Sequence, residues 1–149
     1  MPSGRSPKAD VAALAARDAF CRELGIELVE VHLGHAVTRV RVEERHLNFL
    51  GAEHGGLAFA LADAAFGFAC NSYGLATSGI DVHMVCNRAA RRGDILTATA
   101  VELSRPARLS HYCVDVVRCD GKLIAAMTGT AFVSGNLLGI KNDASCESP

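Results

Sequence analysis

The segment that most constrains this chain runs from His54 to Gly74 and reads HGGLAFALADAAFGFACNSYG. It is too long and too rich in alanine and leucine for a strand, and its apolar residues occupy nearly every side of a helix. Asp63 is its only formally charged residue. Because a membrane span would not readily hold Asp63, Asn71 and several glycines, we predict a helix buried in a soluble protein, from Gly55 to about Gly74.

The pattern of the remaining segments mainly predicts strands. Apolar spacing predicts a short N-terminal helix over Ala9–Leu24 and a hairpin over Ile26–Glu43 that turns at Gly34. Four more strands are predicted over Ile80–Val85, Asp94–Ser104, Arg108–Cys119 and Lys122–Val133. The order favours an α+β domain in which an antiparallel sheet wraps the central helix. We predict one domain over 1–149, with its core at about 25–133 and flexible segments at 1–8 and 134–149.

Charge and cysteine usage exclude several classes of protein. Fifteen Lys and Arg against sixteen Asp and Glu give a net charge of −1, which lacks the electrostatic footprint of a nucleic-acid binder. The six cysteines form no Cys-x-x-Cys pair, and no histidine has metal-ligand spacing. We therefore expect reduced thiols and no metal site. With no signal peptide visible, we expect a cytoplasmic protein.

Asp63 is the most informative residue, because its helical neighbours cannot neutralise it. The residues three and four positions away are Phe59, Ala60, Phe66 and Gly67. A buried ionised carboxylate costs several kcal/mol unless it is paired or hydrogen-bonded. Either a polar group from elsewhere in the fold compensates it, or the position is functional.

His54-Gly55-Gly56 precedes this helix and offers a site for a developing negative charge. The first N–H groups of a helix lack intrahelical acceptors, and glycine lets a substrate oxygen approach them. The alternative is a pair of glycines that only permits a sharp turn. Asp63 follows Gly55 by eight residues, roughly 12 Å along one helix. One carbonyl cannot easily meet both groups of one chain, so we predict a site shared between two antiparallel copies of the helix in a dimer.

Asn48 and His54 are the other polar candidates near the start of the helix. Each could orient water or donate a hydrogen bond to a carbonyl. The alternatives are an Asn that forms a turn and a His that caps the helix.

The pattern Asn48-x-x-Gly51-x-x-His54-Gly55-Gly56, followed by Asp63, resembles the signature of the PaaI-type phenylacetate-degradation thioesterases. The resemblance covers about 25–133. It implies the hotdog fold, hydrolysis of acyl-CoA thioesters with phenylacetyl-type acyl groups, and no cofactor, since coenzyme A is part of the substrate. It also implies active sites between subunits, in dimers that assemble into a homotetramer.

The resemblance also implies roles for individual residues. Asp63 would be the nucleophile or general base, the N–H of Gly55 would polarise the thioester carbonyl, and His54 and Asn48 would orient the thioester or water. Substrate-binding candidates are Gly56, Phe66, Ser78, Arg88 and Arg91; the arginines would meet the CoA phosphates.

The sequence departs from the family pattern at two places. Glycine stands at Gly79, where a hydroxyl residue is common, with Thr77 and Ser78 adjacent. The run from Asn87 to Asp94 lacks the family's Arg-Pro-Ala. We expect an acyl-CoA thioesterase; the alternatives are a non-catalytic acyl-CoA-binding or regulatory module, or a hydratase or dehydratase of the same fold.

Overall fold

A six-stranded antiparallel sheet wraps one long helix in the computed structural model, which describes residues 5–138. The helix is α3 (Gly55–Asn71). The strands are β1 (Glu27–His32), β2 (His35–Arg41), β3 (Leu75–Cys86), β4 (Ile95–Ser104), β5 (Leu109–Arg118) and β6 (Leu123–Leu137). Their order across the sheet is β1-β2-β4-β5-β6-β3, so β1 and β3 are the edges. The predicted α+β arrangement is confirmed.

The core lies between α3 and the concave face of the sheet. Leu61, Ala62 and Ala65 of the helix have no exposed surface, and they face alanines of the sheet such as Ala98 and Ala100. Small side chains on both surfaces let the helix lie close to the strands. The buried Thr38 hydroxyl donates to the carbonyl oxygen of Leu61 at 2.9 Å, which fixes the middle of α3 against β2.

The single N-terminal helix predicted over Ala9–Leu24 is wrong, because the segment forms two helices. These are α1 (Val11–Ala16) and α2 (Ala19–Leu24). The Asp18 carboxylate accepts from the backbone N–H of Cys21 and caps α2, and its extended backbone ends the preceding turn. Aspartate competes for backbone N–H groups in this way, so it favours a cap over a helix interior.

The predicted end of the core at Val133 needs correction. β6 continues past Val133 to Leu137, where it pairs with the start of β3 at Leu75, so residues 134–137 are strand. At the N-terminal side, the N–H of Lys8 donates to the carbonyl oxygen of Ser72, and the flexibility expected for 1–8 stays a prediction. Residues 1–4 and 139–149 lie outside the described residues.

β3 begins at Leu75, five residues before the predicted start at Ile80. The prediction missed this part of the strand because a bulge disturbs the alternation of its side chains. Its register against β6 shifts between Gly79 and Asp81, which hides the period of two that marks a strand. The side chain of Asn71 joins the end of α3 to the start of β3. Its amide donates to the carbonyl oxygen of Thr77 and its side-chain oxygen accepts from the N–H of Thr77, both at 2.9 Å.

The ring of Phe66 occupies the space that a side chain at Gly79 would need. The Phe66 ring is 1% exposed and meets the buried Tyr112 ring edge-on at 5.4 Å. A Cβ atom placed on Gly79 would lie 2.7 Å from Phe66 Cε1, and one on Gly129 would lie 3.0 Å from Cζ. The ring therefore fills the space that side chains on β3 and β6 would otherwise occupy.

Gly79→Ala is expected to lower the free energy of unfolding by about 1–3 kcal/mol, the usual result of overpacking a core. Urea denaturation would measure the loss. Phe66→Leu alone should also destabilise the protein, because it leaves a cavity. In the double variant, Gly79→Ala with Phe66→Leu, the free energy of unfolding should fall by less than the sum of the two single losses, since the smaller side chain makes room for the added methyl. Strictly additive losses would contradict this account.

Candidate active site

The first turn of α3 leaves one backbone donor without an acceptor. The N–H of Gly56 donates to Nδ1 of His54 at 2.9 Å, and the N–H of Leu57 donates to the His54 carbonyl oxygen at 2.9 Å. The N–H of Ala58 donates to Oε1 of Glu53 at 3.1 Å. Within residues 5–138, the N–H of Gly55 therefore stays open, at the positive end of the helix dipole. It can therefore donate a hydrogen bond to an oxygen atom of another molecule.

His54 caps the helix and keeps one ring nitrogen available. Because its Nδ1 accepts from Gly56, the proton of the neutral ring belongs on Nε2. The side chain is exposed, so Nε2–H can donate to a ligand beside Gly55. The capping alternative considered from the sequence is thus what the structure shows, and it leaves a second donor open.

Asn48 shapes the loop in front of the helix. Its Oδ1 accepts from the N–H groups of Leu50 and Ala52 at 2.9 and 3.2 Å, while its own N–H donates to the Ala52 carbonyl oxygen. This closes the loop from Asn48 to Ala52, with Gly51 at φ 76°. The turn-forming alternative is therefore observed, and the Nδ2 amide has no acceptor among residues 5–138, so both of its N–H groups can donate to another partner.

Asp63 lies on a part of α3 that the sheet does not cover. We call this part the open stripe: Gly56, Phe59, Asp63 and Gly67, which are spaced to share one side of the helix. Phe59 is 43% exposed, and the Asp63 side chain is also exposed on the single chain. Partial burial nevertheless raises the pKa of Asp63, and no hydrogen bond or neighbouring charge contributes to the shift. The carboxylate has apolar surroundings and no partner within residues 5–138.

A cavity of about 220 Å³ opens next to Gly55. Its walls are the start of α3, the end of β3 and the connection that follows β3; the lining residues are Glu53, Gly55, Ala58, Cys86, Asn87, Arg88, Ala89 and Ile124. The structure thus brings together two of the predicted site residues, Gly55 and Arg88. Asp63 of the same chain does not line this cavity. This agrees with the prediction from the sequence that Asp63 lies too far along the helix from Gly55.

The other predicted substrate-binding residues lie apart from the cavity. Phe66 belongs to the core. Ser78 pairs with Phe132 on the sheet face opposite to that of Gly79, so its exposed side chain points away from α3. Arg91 borders a different surface depression, with Arg118 and Lys122. Gly56 is exposed on the open stripe.

Glu53 is a buried carboxylate at the cavity that the sequence reasoning missed. It is 3% exposed, and its oxygens accept from the N–H groups of Ala58 and Ala90. Burial raises the pKa of Glu53, and these two hydrogen bonds oppose the shift. An acidic residue just before a helix is a signal for such bonding, but Ala90 lies far along the chain and no local pattern points to it.

The described residues offer no metal site. Among residues 5–138, no three His, Cys, Asp or Glu side chains are placed to share one metal ion. The five cysteines in this range form no disulfide; Cys21 and Cys70 are buried, whereas Cys86 and Cys119 are exposed. None of the helices in the described part is long and apolar enough to span a membrane.

Comparison with known sequences identifies relatives of this chain, although no family model matches it. It is similar to the acyl-coenzyme A thioesterase PaaI of Escherichia coli, with 34% identity over 85% of this chain and 91% of that protein. It is also similar to human acyl-coenzyme A thioesterase 13, with 33% identity over 71% of this chain and 79% of that protein.

Solved structures agree with the sequence comparison. The structure of Escherichia coli PaaI, from the phenylacetic acid degradation operon, matches with a TM-score of 0.80 and 32% identity over 85% of this chain and 96% of that one. A hypothetical thioesterase protein from Streptococcus pneumoniae, solved with coenzyme A, matches with a TM-score of 0.72 and 27% identity, over 75% of this chain and 88% of that one. With its antiparallel sheet around α3, this chain belongs to the PaaI-like family of hotdog-fold acyl-CoA thioesterases.

Proposed function

We propose that this acyl-CoA thioesterase acts on esters with phenylacetyl-type acyl groups, at sites that two subunits share. The observation that carries the mechanism is the open N–H of Gly55, which lies beside a cavity and at the positive end of α3. A fixed donor of this kind stabilises the negative charge that develops on a thioester oxygen during attack. The similarity to PaaI of Escherichia coli supports the aromatic acyl group.

Asp63 supplies the attack in this proposal. Its carboxylate either adds to the thioester carbonyl itself or removes a proton from the water that does so. Addition forms a tetrahedral intermediate whose oxygen accepts from the Gly55 N–H. Collapse breaks the carbon–sulfur bond. If Asp63 acts as a base, it passes the proton taken from water to the sulfur, and CoA leaves as the thiol; in the direct route CoA leaves as the thiolate, and the water that then hydrolyses the anhydride supplies the proton. Both routes consume one water and yield the free acid.

The position of Asp63 supports a site between subunits. Asp63 follows Gly55 by about two helical turns, roughly 12 Å, on the same helix. A second copy of α3, running antiparallel across the open stripe, brings its own Asp63 towards Gly55 of the first. His54 Nε2–H and Asn48 Nδ2–H, both on the Gly55 side, then orient the thioester or the water.

The exposed edge of the sheet supports the same dimer. β3 is a twelve-residue edge strand that pairs with β6 on one side and with no strand of residues 5–138 on the other, and Ile80 and Val85 on it are 60% and 49% exposed. Long apolar edges of this kind are normally covered by a partner. The outer face of the sheet exposes a second apolar set, Val101, Leu103 and Phe132, which supports pairing of dimers into a tetramer.

Arg88 is the residue proposed to grip the CoA phosphates at the cavity. It is exposed and lines the same cavity as Gly55, and its guanidinium can bind a phosphate with two donors. Arg91 lies on the neighbouring depression and would contribute at longer reach. The Streptococcus pneumoniae relative solved with coenzyme A supports a CoA site on this fold.

A free-thiol assay over a panel of acyl-CoA esters tests the proposal. We expect kcat/KM for phenylacetyl-CoA to exceed that for straight-chain esters of similar size by about 10-fold or more, the discrimination that a shaped apolar pocket allows. Equal kcat/KM values across the panel would contradict the aromatic preference but not the thioesterase activity. Tight binding of every ester without thiol release would overturn the activity and favour an acyl-CoA-binding module.

A further inference from the structure

Glu53 joins two walls of the cavity beside Gly55. Its Oε1 accepts from the N–H of Ala58 in the first turn of α3, at 3.1 Å. Its Oε2 accepts from the N–H of Ala90 at 3.3 Å, and its own N–H donates to the Ala90 carbonyl oxygen at 3.0 Å. One buried residue therefore makes three hydrogen bonds, to the helix on one side and to the connection between β3 and β4 on the other.

The connection held by Glu53 carries Arg88. Ala90 has no exposed surface and forms the anchor of this connection, two residues after Arg88. On the other side, the N–H groups of Arg88 and Asn87 share the carbonyl oxygen of Ile124 as acceptor. The backbone of Arg88 is thus fixed from both ends, and the fixation through Ala90 depends on the Glu53 carboxylate.

Glu53 also supplies the acceptor for one N–H group in the first turn of α3. With Ala58 bonded to Glu53, and Gly56 and Leu57 bonded to His54, Gly55 keeps the one open N–H of the first turn within the described residues. Without the carboxylate, Ala58 would lose its acceptor and the first turn would lose its tie to the connection. The donor and the arginine are therefore held by the same side chain.

We propose that Glu53 is a positioning residue, which holds Arg88 and the Gly55 N–H at a fixed separation so that CoA phosphate binding and carbonyl polarisation occur together. This inference rests on the proposed function, because it assigns Arg88 and Gly55 the roles given there. Glu53 itself needs no contact with the substrate. Its effect on binding should therefore pass through Arg88 and should require the nucleotide part of CoA.

The test compares an acyl-CoA with the matching acyl-pantetheine, which lacks the nucleotide phosphates, in the full-length protein. Arg88→Ala should raise KM for the acyl-CoA by about 10-fold, as loss of a charge-assisted hydrogen bond predicts, and should leave KM for the acyl-pantetheine unchanged. Glu53→Gln should raise KM for the acyl-CoA selectively as well, and it should lower kcat for both esters. In the Glu53→Gln background, Arg88→Ala should then change KM by less than about threefold, because coupled residues are not additive.

Glu53→Gln and Glu53→Ala separate positioning from stability. Glutamine keeps the side-chain volume and one acceptor oxygen. The KM of Glu53→Gln for the acyl-CoA should therefore lie between the KM of the wild type and that of Glu53→Ala. Ser72→Ala is the matched control, since Ser72 makes two buried hydrogen bonds, with Gly34 and Ala69, at the other end of α3. It should lower the melting temperature and leave the ratio of the two KM values unchanged.

The outcomes distinguish this inference from the proposed function. An active wild type in which Glu53→Gln and Arg88→Ala act additively on KM would overturn the role of Glu53 alone. A wild type without thioesterase activity would overturn the proposed mechanism; the coupling would then be measured through the Kd of CoA itself by calorimetry. A wild type that does not bind CoA would overturn both.

Discussion

Asp63→Asn is expected to lower kcat for acyl-CoA hydrolysis by about 10²–10⁴-fold, the usual contribution of a side chain that takes or shares a proton in the reaction. Asparagine keeps the size of the side chain but can neither add to the carbonyl nor remove a proton from water. Because the Asp63 side chain is exposed on the single chain and makes no hydrogen bond to the described residues, the change should not unfold the protein. Steady-state thiol release measures kcat, and a thermal melt checks the fold.

The matched control is Asp115→Asn, which removes an exposed carboxylate from β5. It should leave kcat within a factor of about two, as expected for a surface change away from the site. An Asp63→Asn variant that keeps more than about a third of the wild-type kcat would rule out a carboxylate-driven reaction.

The pH dependence gives a second check on Asp63. Burial raises the pKa of this carboxyl group, so the ionised, active form is lost at a higher pH than for an ordinary aspartate near 3.9. Activity should therefore fall as the pH drops through that raised pKa, and the acid limb of kcat/KM should lie above pH 3.9. The residual activity of Asp63→Asn should lack this limb.

Gly55→Pro is expected to lower kcat by about 10²–10³-fold, the loss seen when a single oxyanion donor is removed. Proline deletes the open N–H and is well tolerated at the first position of a helix. The preceding residue, His54, already has φ −70° and ψ 131°, which a following proline favours. Gly55→Ala is the comparison variant: it keeps the N–H, and its Cβ would lie 3.9 Å from Cys86 Sγ, an ordinary contact. Its kcat should fall much less than that of Gly55→Pro, and equal losses in the two variants would contradict the role of the N–H.

Mixing the two variants tests whether the site is shared. In a dimer of one Gly55→Pro and one Asp63→Asn subunit, one of the two sites regains both groups if they come from different chains. Random mixing in equal amounts should then restore about a quarter of the wild-type activity. If Gly55 and Asp63 act within one chain, no site is restored, and the mixture stays as inactive as its components.

The sequence could predict the central helix and its chemistry because the signals there are local. The run of apolar residues and the glycine pair indicate where α3 begins, and the isolation of Asp63 is visible from its helical neighbours. The structure bears out that isolation within one chain, since no hydrogen bond or charge of the described residues compensates Asp63. The site roles themselves stay predictions until the variants are measured.

Features that depend on distant contacts could not be predicted. Glu53 bonds to Ala90, and nothing near Glu53 in the sequence indicates that partner. Gly79 departs from the family pattern, and the Phe66 ring that packs against it is a distant contact that the residues around Gly79 do not indicate. The break between α1 and α2 had a local signal in Asp18, but the alanine-rich spacing on both sides outweighed it.

The interlock of Phe66 with Gly79 and Gly129 constrains how this chain can change over evolutionary time. A hydroxyl-bearing side chain introduced at position 79 first would collide with the ring and destabilise the protein, whereas a smaller residue introduced at position 66 first opens the space. The order of the two substitutions therefore matters. Related proteins with a large aromatic ring at the position of Phe66 are expected to keep glycine at the position of Gly79. The residues at these two positions should therefore vary together.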